Sequence, residues 1–282
     1  MKVVVTGGGG QLGQALFSMR NENVEIVPLT VTQCDVTDEQ QVYKTLEREH
    51  PDVVIHCAAY TAVAKAEAEP ELCRKVNVLG TMHVANACKL LNSTMVLLSS
   101  DYVFDGIGSE EQPTDKPRRA LNRYGQSKID AENIVMALPR YYIIRTSWMF
   151  GSGANFVDTI SELGRKQKTV FVVDDQIGSP TYAEDLAKCL LSIIEKVPYG
   201  VYHVTNEGYC SWAELAEAAF RMQKISATVH RISSQEYGGV VKRPQNSRLS
   251  KECLDKYGVA RLPQWEDGLR RYLEKRGLYC GR

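Results

Sequence analysis

The 282-residue sequence has no Cys-x-x-Cys pair, no His-x-x-x-His pair, no run approaching eighteen apolar residues and no excess of either charge. Each absence excludes a class of protein. Eight cysteines stand singly along the chain, several inside apolar runs such as Val53-Val54-Ile55-His56-Cys57, and read as reduced core thiols rather than a disulfide or zinc framework. His50, His56, His83, His203 and His230 lack ligand spacing, so no metal is assigned. Thirty-four Lys and Arg balance thirty-four Asp and Glu, which leaves no global field to attract nucleic acid or an anionic membrane. The start, "MKVVVTGG", lacks the charged and apolar regions of a secretory signal, and a cytoplasmic location is the expectation. Small molecules held by local groups remain as the ligands to seek.

What is present is rhythm. Short β-branched runs at Lys2–Thr6, Glu25–Leu29, Val53–Ala58, Met95–Ser99 and Tyr141–Arg145 alternate with helical periodicity, the pattern of a parallel sheet with right-handed crossovers. Beyond Arg145 the spacing predicts a helix over Phe156–Lys166, a strand over Thr169–Val173, a helix over Ala183–Glu195 and a strand over Val201–Val204. Ser211 and Glu214 form a capping box ahead of a helix near Trp212–Met222, and a last helix covers Trp265–Lys275. The expected fold is α/β: a Rossmann-type doubly wound sheet over residues 1–145, to which 183–205 return, and a smaller C-terminal α/β substrate lobe over 146–282.

"VVVTGGGGQLGQAL" joins the first strand to a helix. Gly7, Gly10 and Gly13 give G-x-x-G-x-x-G, while Gly8, Gly10 and Gly13 also satisfy G-x-G-x-x-G, so spacing leaves both turns open. In either, residues without Cβ let a pyrophosphate approach the backbone at a helix N-terminus. A dinucleotide is the expected ligand. Asp35 stands near the distance at which an acid selects NAD, yet it also suits a loop beside the adenine, and NADPH and NADH both remain candidates.

"NRYGQSK" places Tyr124 and Lys128 one helical turn apart on one face, where an ammonium would lower the phenol's pKa toward useful acid–base work. Tyr-x-x-x-Lys alone is common on solvated helices. Upstream, however, the apolar strand "MVLLSS" ends in two hydroxyls, Ser99 and Ser100, and ligands of open α/β sheets collect at strand carboxyl ends.

The glycine turn, strand-end serine and Tyr-x-x-x-Lys together resemble the extended short-chain dehydrogenase/reductase superfamily. "SSDYVFDG", "RTSWMFG", "VVDDQIGSPTY", "GVYHVTNEGYCSW" and "KRPQNSRLSK" narrow the resemblance to the dTDP-4-dehydrorhamnose reductase family, from end to end of the chain. The resemblance implies reduction of a dTDP-4-ketosugar by NAD(P)H. It makes Tyr124 the general acid, Lys128 its tuner and a ribose ligand, and Ser100 the carbonyl-polarising hydroxyl where the family usually has Thr. It places Gly7, Gly10, Gln11, Leu12 and Gly13 at the pyrophosphate, Asp35 and Val36 on the adenine side, and Ala58, Ala59 and Tyr60 at the nicotinamide ribose. Asp101, Tyr102 and Trp148 would face the sugar, with Lys242, Arg243 and Asn246 near the nucleotide diphosphate. Asn77 would either join a proton relay or make a structural hydrogen bond.

Two positions depart from the family. Ala64 stands where it usually has Asp, removing a charge beside the cofactor-proximal loop. Some members hold magnesium between subunits through glutamates; Glu184 matches one of these but Ala15 occupies the other, which argues against a shared metal while leaving a homodimer open. Two rivals keep the fold. A sugar-nucleotide epimerase or dehydratase would retain NAD, but the Asp-Glu pair of a dehydratase is replaced by Asp101-Tyr102. A non-catalytic subunit similar to the regulatory partner of methionine adenosyltransferase shares the "SSDYVFDG" type of stretch.

Overall fold

The computed structural model describes residues 1–281. Its first half alternates strands and helices: β1 (Lys2–Thr6), α1 (Gln11–Ser18), β2 (Glu25–Leu29), α2 (Glu39–Glu49) and β3 (Val53–His56). Next come α3 (Val63–Ala68), α4 (Pro70–Arg74), one π-helical turn (Lys75–Leu79), α5 (Gly80–Leu91) and β4 (Thr94–Ser100). A 3-10 turn (Asp101–Val103), α6 (Arg123–Met136) and β5 (Tyr141–Thr146) complete it.

The second half contains β6 (Met149–Phe150), α7 (Phe156–Lys166), β7 (Thr169–Val173), β8 (Ile177–Gly178), β9 (Thr181–Tyr182), α8 (Ala183–Lys196) and β10 (Gly200–His203). It ends with β11 (Cys210–Ser211), α9 (Trp212–Gln223), β12 (Thr228–Ile232), α10 (Ser234–Tyr237), β13 (Asn246–Ser247), α11 (Glu252–Asp255) and α12 (Trp265–Lys275).

Six strands form one parallel sheet in the order β10-β5-β4-β3-β1-β2. Period-two alternation divides its side chains between two apolar layers. Val3 and Val5 face α1 and α8, through Leu12, Leu16, Leu186 and Leu190; Val4 faces α2, α5 and α6, through Val42, Leu46, Val84 and Val135. Both faces are covered, the doubly wound Rossmann arrangement. The expected strand Val53–Ala58 stops at His56: after Cys57 donates its amide to the Thr6 carbonyl, the chain leaves the sheet toward α3.

The remaining strands lie in three small sheets, β11-β8-β13, β12-β7 and β6-β9. Two lesser cores support them, one around Phe150, Leu215, Trp265 and Leu269, the other around Ile160, Val172 and Phe220. The Ser211–Glu214 capping box starts α9 as its sequence requires. All eight thiols are free, and Cys280 is exposed.

Candidate active site

A cleft of about 710 Å³ opens at the carboxyl ends of the sheet. A smaller polar cavity of about 450 Å³ lies at the amino ends and shares none of its lining. Crossover geometry puts strand-end loops at the carboxyl edge, so chemistry is expected there.

The glycine turn forms one wall. Gly7 has φ +69°, the left-handed region, and a Cβ there would lie 2.6 Å from the Ala58 amide nitrogen. Gly10 donates its amide to the Gly7 carbonyl at 2.9 Å. A Cβ on Gly8 would lie 2.6 Å from the Pro28 Cβ and 2.8 Å from the Leu29 amide nitrogen, and one on Gly13 2.6 Å from Gly8, so Gly7, Gly8 and Gly13 are all held to glycine and the turn meets both spacings. Gly10 caps α1 without a side-chain hydrogen bond, and no acid occupies the first helical turn. First-turn amides at Gln11, Leu12 and Gly13 consequently face the cleft with the positive end of the helix.

The opposite wall is built on α6. Asn122 caps this helix by accepting the Gly125 amide at 2.8 Å, and its own amide group donates to the Lys242 carbonyl at 2.9 Å. Tyr124 and Lys128 both line the cleft, as do Ser99, Ser100, Asp101 and Tyr102 from the end of β4. Lys128 is buried and donates to the Leu98 carbonyl at 2.7 Å. Burial lowers its pKa to about 8, with Glu132 pulling the other way.

The phenol does not follow the simple expectation. Burial, then the nearby Asp101 carboxylate, push the Tyr124 pKa above its ordinary value, and the Ser100 hydroxyl only partly counters them. Tyr124 thus keeps its proton at neutral pH; desolvation outweighs any help from Lys128. Ser100 donates to Asp101 at 2.9 Å and accepts the Tyr102 amide at 3.2 Å, while Ser247 donates to the other Asp101 oxygen at 2.5 Å. Burial raises the Asp101 pKa to about 6, against the pull of these two hydroxyls.

On the sugar side, Trp148 adopts φ +48° and stacks on Trp212 at 3.7 Å with 13° between the rings. A Cβ on Gly178 would approach the Trp148 ring to 2.8 Å, so only a glycine seats the indole there. Arg243 reaches the cleft beside Tyr102. Four expected residues do not line the cleft; one of them, Lys242, offers its carbonyl to Asn122. The Tyr60 phenol donates to Glu69 at 2.6 Å, since this orientation satisfies it near solvent. Asn77 accepts the Tyr60 amide at 2.7 Å and donates to Ser127 at 2.8 Å, serving the backbone rather than a ligand. Asn246 is buried, donating to the Glu110 carbonyl at 2.7 Å and accepting from Arg248. Glu184 pairs with Lys275, and Ala15 lies in the core.

Several lining residues went unnoticed in the sequence: Thr146, Ser147, Met149, Ser152, Ala154 and Trp212. The "RTSW" stretch carried the available signal, because it continues β5 beyond its carboxyl end. Ala58, Ala59, Asp35 and Val36 line the cofactor half of the cleft. Asp35 accepts the Thr37 amide at 2.9 Å, in a loop beyond β2 rather than at that strand's end.

Two buried polar atoms in the cleft, Gln11 Oε1 and Thr146 Oγ1, have no protein partner. Orphaned groups of this kind, next to a glycine cradle and an uncapped helix start, fit a dinucleotide that brings its own donors and acceptors. Sheet, turn and Tyr-x-x-x-Lys helix together define the extended short-chain dehydrogenase/reductase class.

Comparison with known proteins narrows this. The family model described as RmlD substrate binding domain matches residues 1–277. The chain is 38% identical to a dTDP-4-dehydrorhamnose reductase of Aggregatibacter actinomycetemcomitans, over 90% of each protein. It is 35% identical to the spore coat polysaccharide biosynthesis protein SpsK of Bacillus subtilis, over 99% of each. Among solved structures, a dTDP-4-dehydrorhamnose reductase from Bacillus anthracis in complex with NADP superimposes with a TM-score of 0.94, at 38% identity, covering 97% of this chain and 99% of that one. The chain belongs to the RmlD substrate binding domain family.

Proposed function

We propose that this chain is an NADPH-dependent oxidoreductase that reduces the 4-keto group of dTDP-4-dehydro-L-rhamnose to give dTDP-L-rhamnose. The observation that carries the mechanism is the convergence of Tyr124, Lys128 and Ser100 on the cleft that also holds the Gly7–Gly13 turn. The NADP complex of the Bacillus anthracis protein supports the cofactor. Thr30, Thr32 and Gln33 follow β2 where a carboxylate would repel a 2′-phosphate, which favours NADPH over NADH.

When bound, the reduced nicotinamide supplies a hydride to carbon four. Tyr124 supplies the proton: its phenolic O–H breaks as the new O–H forms on the former ketone oxygen, giving the alcohol. A phenol that stays protonated at neutral pH is loaded for this direction of reaction. Tyr124 stabilises negative charge developing on oxygen, joined by Ser100 once its one hydroxyl proton turns from Asp101 to the ketone, and Lys128 holds the ribose and opposes the phenolate left behind. The Trp148–Trp212 wall orients the sugar. Residues 146–282 form the substrate lobe, while α8 and β10 belong with the cofactor domain, as their packing on α1 and β5 supports.

The test is a coupled assay from dTDP-glucose through the upstream dehydratase and epimerase, with NADPH or NADH. Stoichiometric NADPH oxidation with formation of dTDP-L-rhamnose is expected. Conversion of the ketosugar to an isomer of the same oxidation level, without net cofactor turnover, would establish an epimerase instead, and absence of any turnover would leave a cofactor-binding subunit.

A further inference from the structure

Behind Tyr124 and Lys128, α6 carries a third polar residue on the same face. Glu132 follows Lys128 by one turn, as Lys128 follows Tyr124. Its side chain is 0% exposed and that of Arg145, its main partner, 1%. Glu132 Oε1 accepts from the Ser99 hydroxyl at 2.5 Å and Arg145 Nε at 2.9 Å; Oε2 accepts from Arg145 Nη2 at 2.7 Å and Arg118 Nη1 at 3.1 Å. The reaction described above touches neither Glu132 nor Arg145. Nor is a buried pair self-explanatory as a source of stability, because desolvation offsets much of its attraction.

Its position is more informative. Lys128 bonds to Leu98 and Glu132 to Ser99, so α6 pins two successive residues of β4 immediately before Ser100. Arg145 immediately precedes Thr146, whose hydroxyl faces the cleft without a protein partner. Arg145 also donates to the Thr114 carbonyl at 2.9 Å and lies over the Phe104 ring at 5.0 Å, anchoring the segment that follows the catalytic strand end.

We propose that Glu132 is a positioning residue for the reduction: locked by Arg145 and Ser99, it aligns α6 with the ends of β4 and β5 and supplies the buried anion that keeps Lys128 protonated. The groups around Lys128 support that role. Tyr124 and Glu132 share its helix, Cys57 and His56 come from the end of β3, and Cys73 from α4; Arg118 and Arg145 contact Glu132. Burial drives the His56 pKa down to about 3 and the Cys57 thiol up to about 12, so both are neutral. Glu132, though shared with Arg118 and Arg145, is the one carboxylate among these groups, and with it in place burial still brings Lys128 down to about 8.

The kinetic side of this inference rests on the reductase reading, whereas cofactor affinity can be read without turnover. Glu132→Gln, Arg145→Met and the double variant are compared with wild type by NADPH fluorescence titration and by kcat between pH 6 and 9, with Tm as the control for folding. Both single variants lose stability. In Glu132→Gln the alkaline limb of affinity and kcat is expected about one unit lower, a tenfold change in the Lys128 ionisation constant; in Arg145→Met, where Glu132 remains charged, the limb stays or moves up. If Glu132→Gln does not fold, the double variant removes both charges and its limb is expected below that of Arg145→Met. Limbs unmoved in every folded variant, or moved down equally in both single variants, overturn the proposal. Wild-type NADPH binding without turnover would refute the reductase reading while the affinity limb still decided the role of Glu132.

Discussion

The two halves of this molecule are held together differently. In the first, completed by β10 and α8 from later in the chain, six parallel strands and two continuous apolar layers set the site through backbone: the Gly7 turn, the start of α1 and the ends of β4 and β5 are fixed by sheet register. In the second, three small sheets mostly two residues deep carry little ladder, and side chains do the fixing. Trp148 is seated by Gly178 and Trp212, and Asp101 is tied across the cleft by Ser247.

Substitutions that act on one half alone test this division. The largest effect is expected from Tyr124→Phe, which removes the proton donor and leaves the turn intact: kcat falls about a thousandfold with NADPH affinity nearly unchanged, measured by steady-state kinetics and fluorescence titration. Loss of NADPH affinity instead would merge the two halves. Gly7→Ala comes next. Its φ of +69° and the 2.6 Å approach to Ala58 predict a loss of about 1–3 kcal/mol in stability and at least tenfold weaker NADPH binding, by denaturation and titration. Trp148→Ala is expected to raise the sugar-nucleotide KM about tenfold and leave the NADPH dissociation constant alone, since the lost stacking belongs to the second half.

The smallest effect concerns Asp101, which bridges the halves. A carboxyl whose folded pKa is about 6, against an ordinary 3.8, binds more protons folded than unfolded across that window. Stability therefore falls as pH rises from about 4 to about 6, and the penalty is complete above it. Asp101→Asn, which cannot ionise, is expected to flatten this part of a Tm-against-pH curve.

Legibility followed the same division. The bounds of β1, β2, α7, β7 and α12 match the sequence reading because periodicity and caps act locally. The left-handed φ of Gly7 and the close packing of Gly8 on Pro28 could not be read from glycine spacing, because both depend on the neighbouring strands. On the site, the strand-end and helix residues line the cleft as expected; Tyr60, Lys242 and Asn246 do not, and Asn77 takes the structural hydrogen bond that its sequence left open, because their polar groups are taken up by other parts of the fold. Trp212 was expected only as the start of a helix but lines the cleft, since stacking on Trp148 arises from tertiary contact. The upward shift of the Tyr124 pKa was also invisible, because desolvation depends on what covers a residue rather than on its helical neighbours.

Asn122 begins the catalytic helix with its oxygen and grips the carbonyl of Lys242 with its nitrogen. One planar amide thus acts as a rigid link between the proton donor's first turn and the segment that carries Arg243. Under the proposed reading, in which Arg243 meets the nucleotide sugar, tension on that segment reaches the origin of Tyr124 as well, so a poorly fitting substrate would be penalised in alignment and not only in grip.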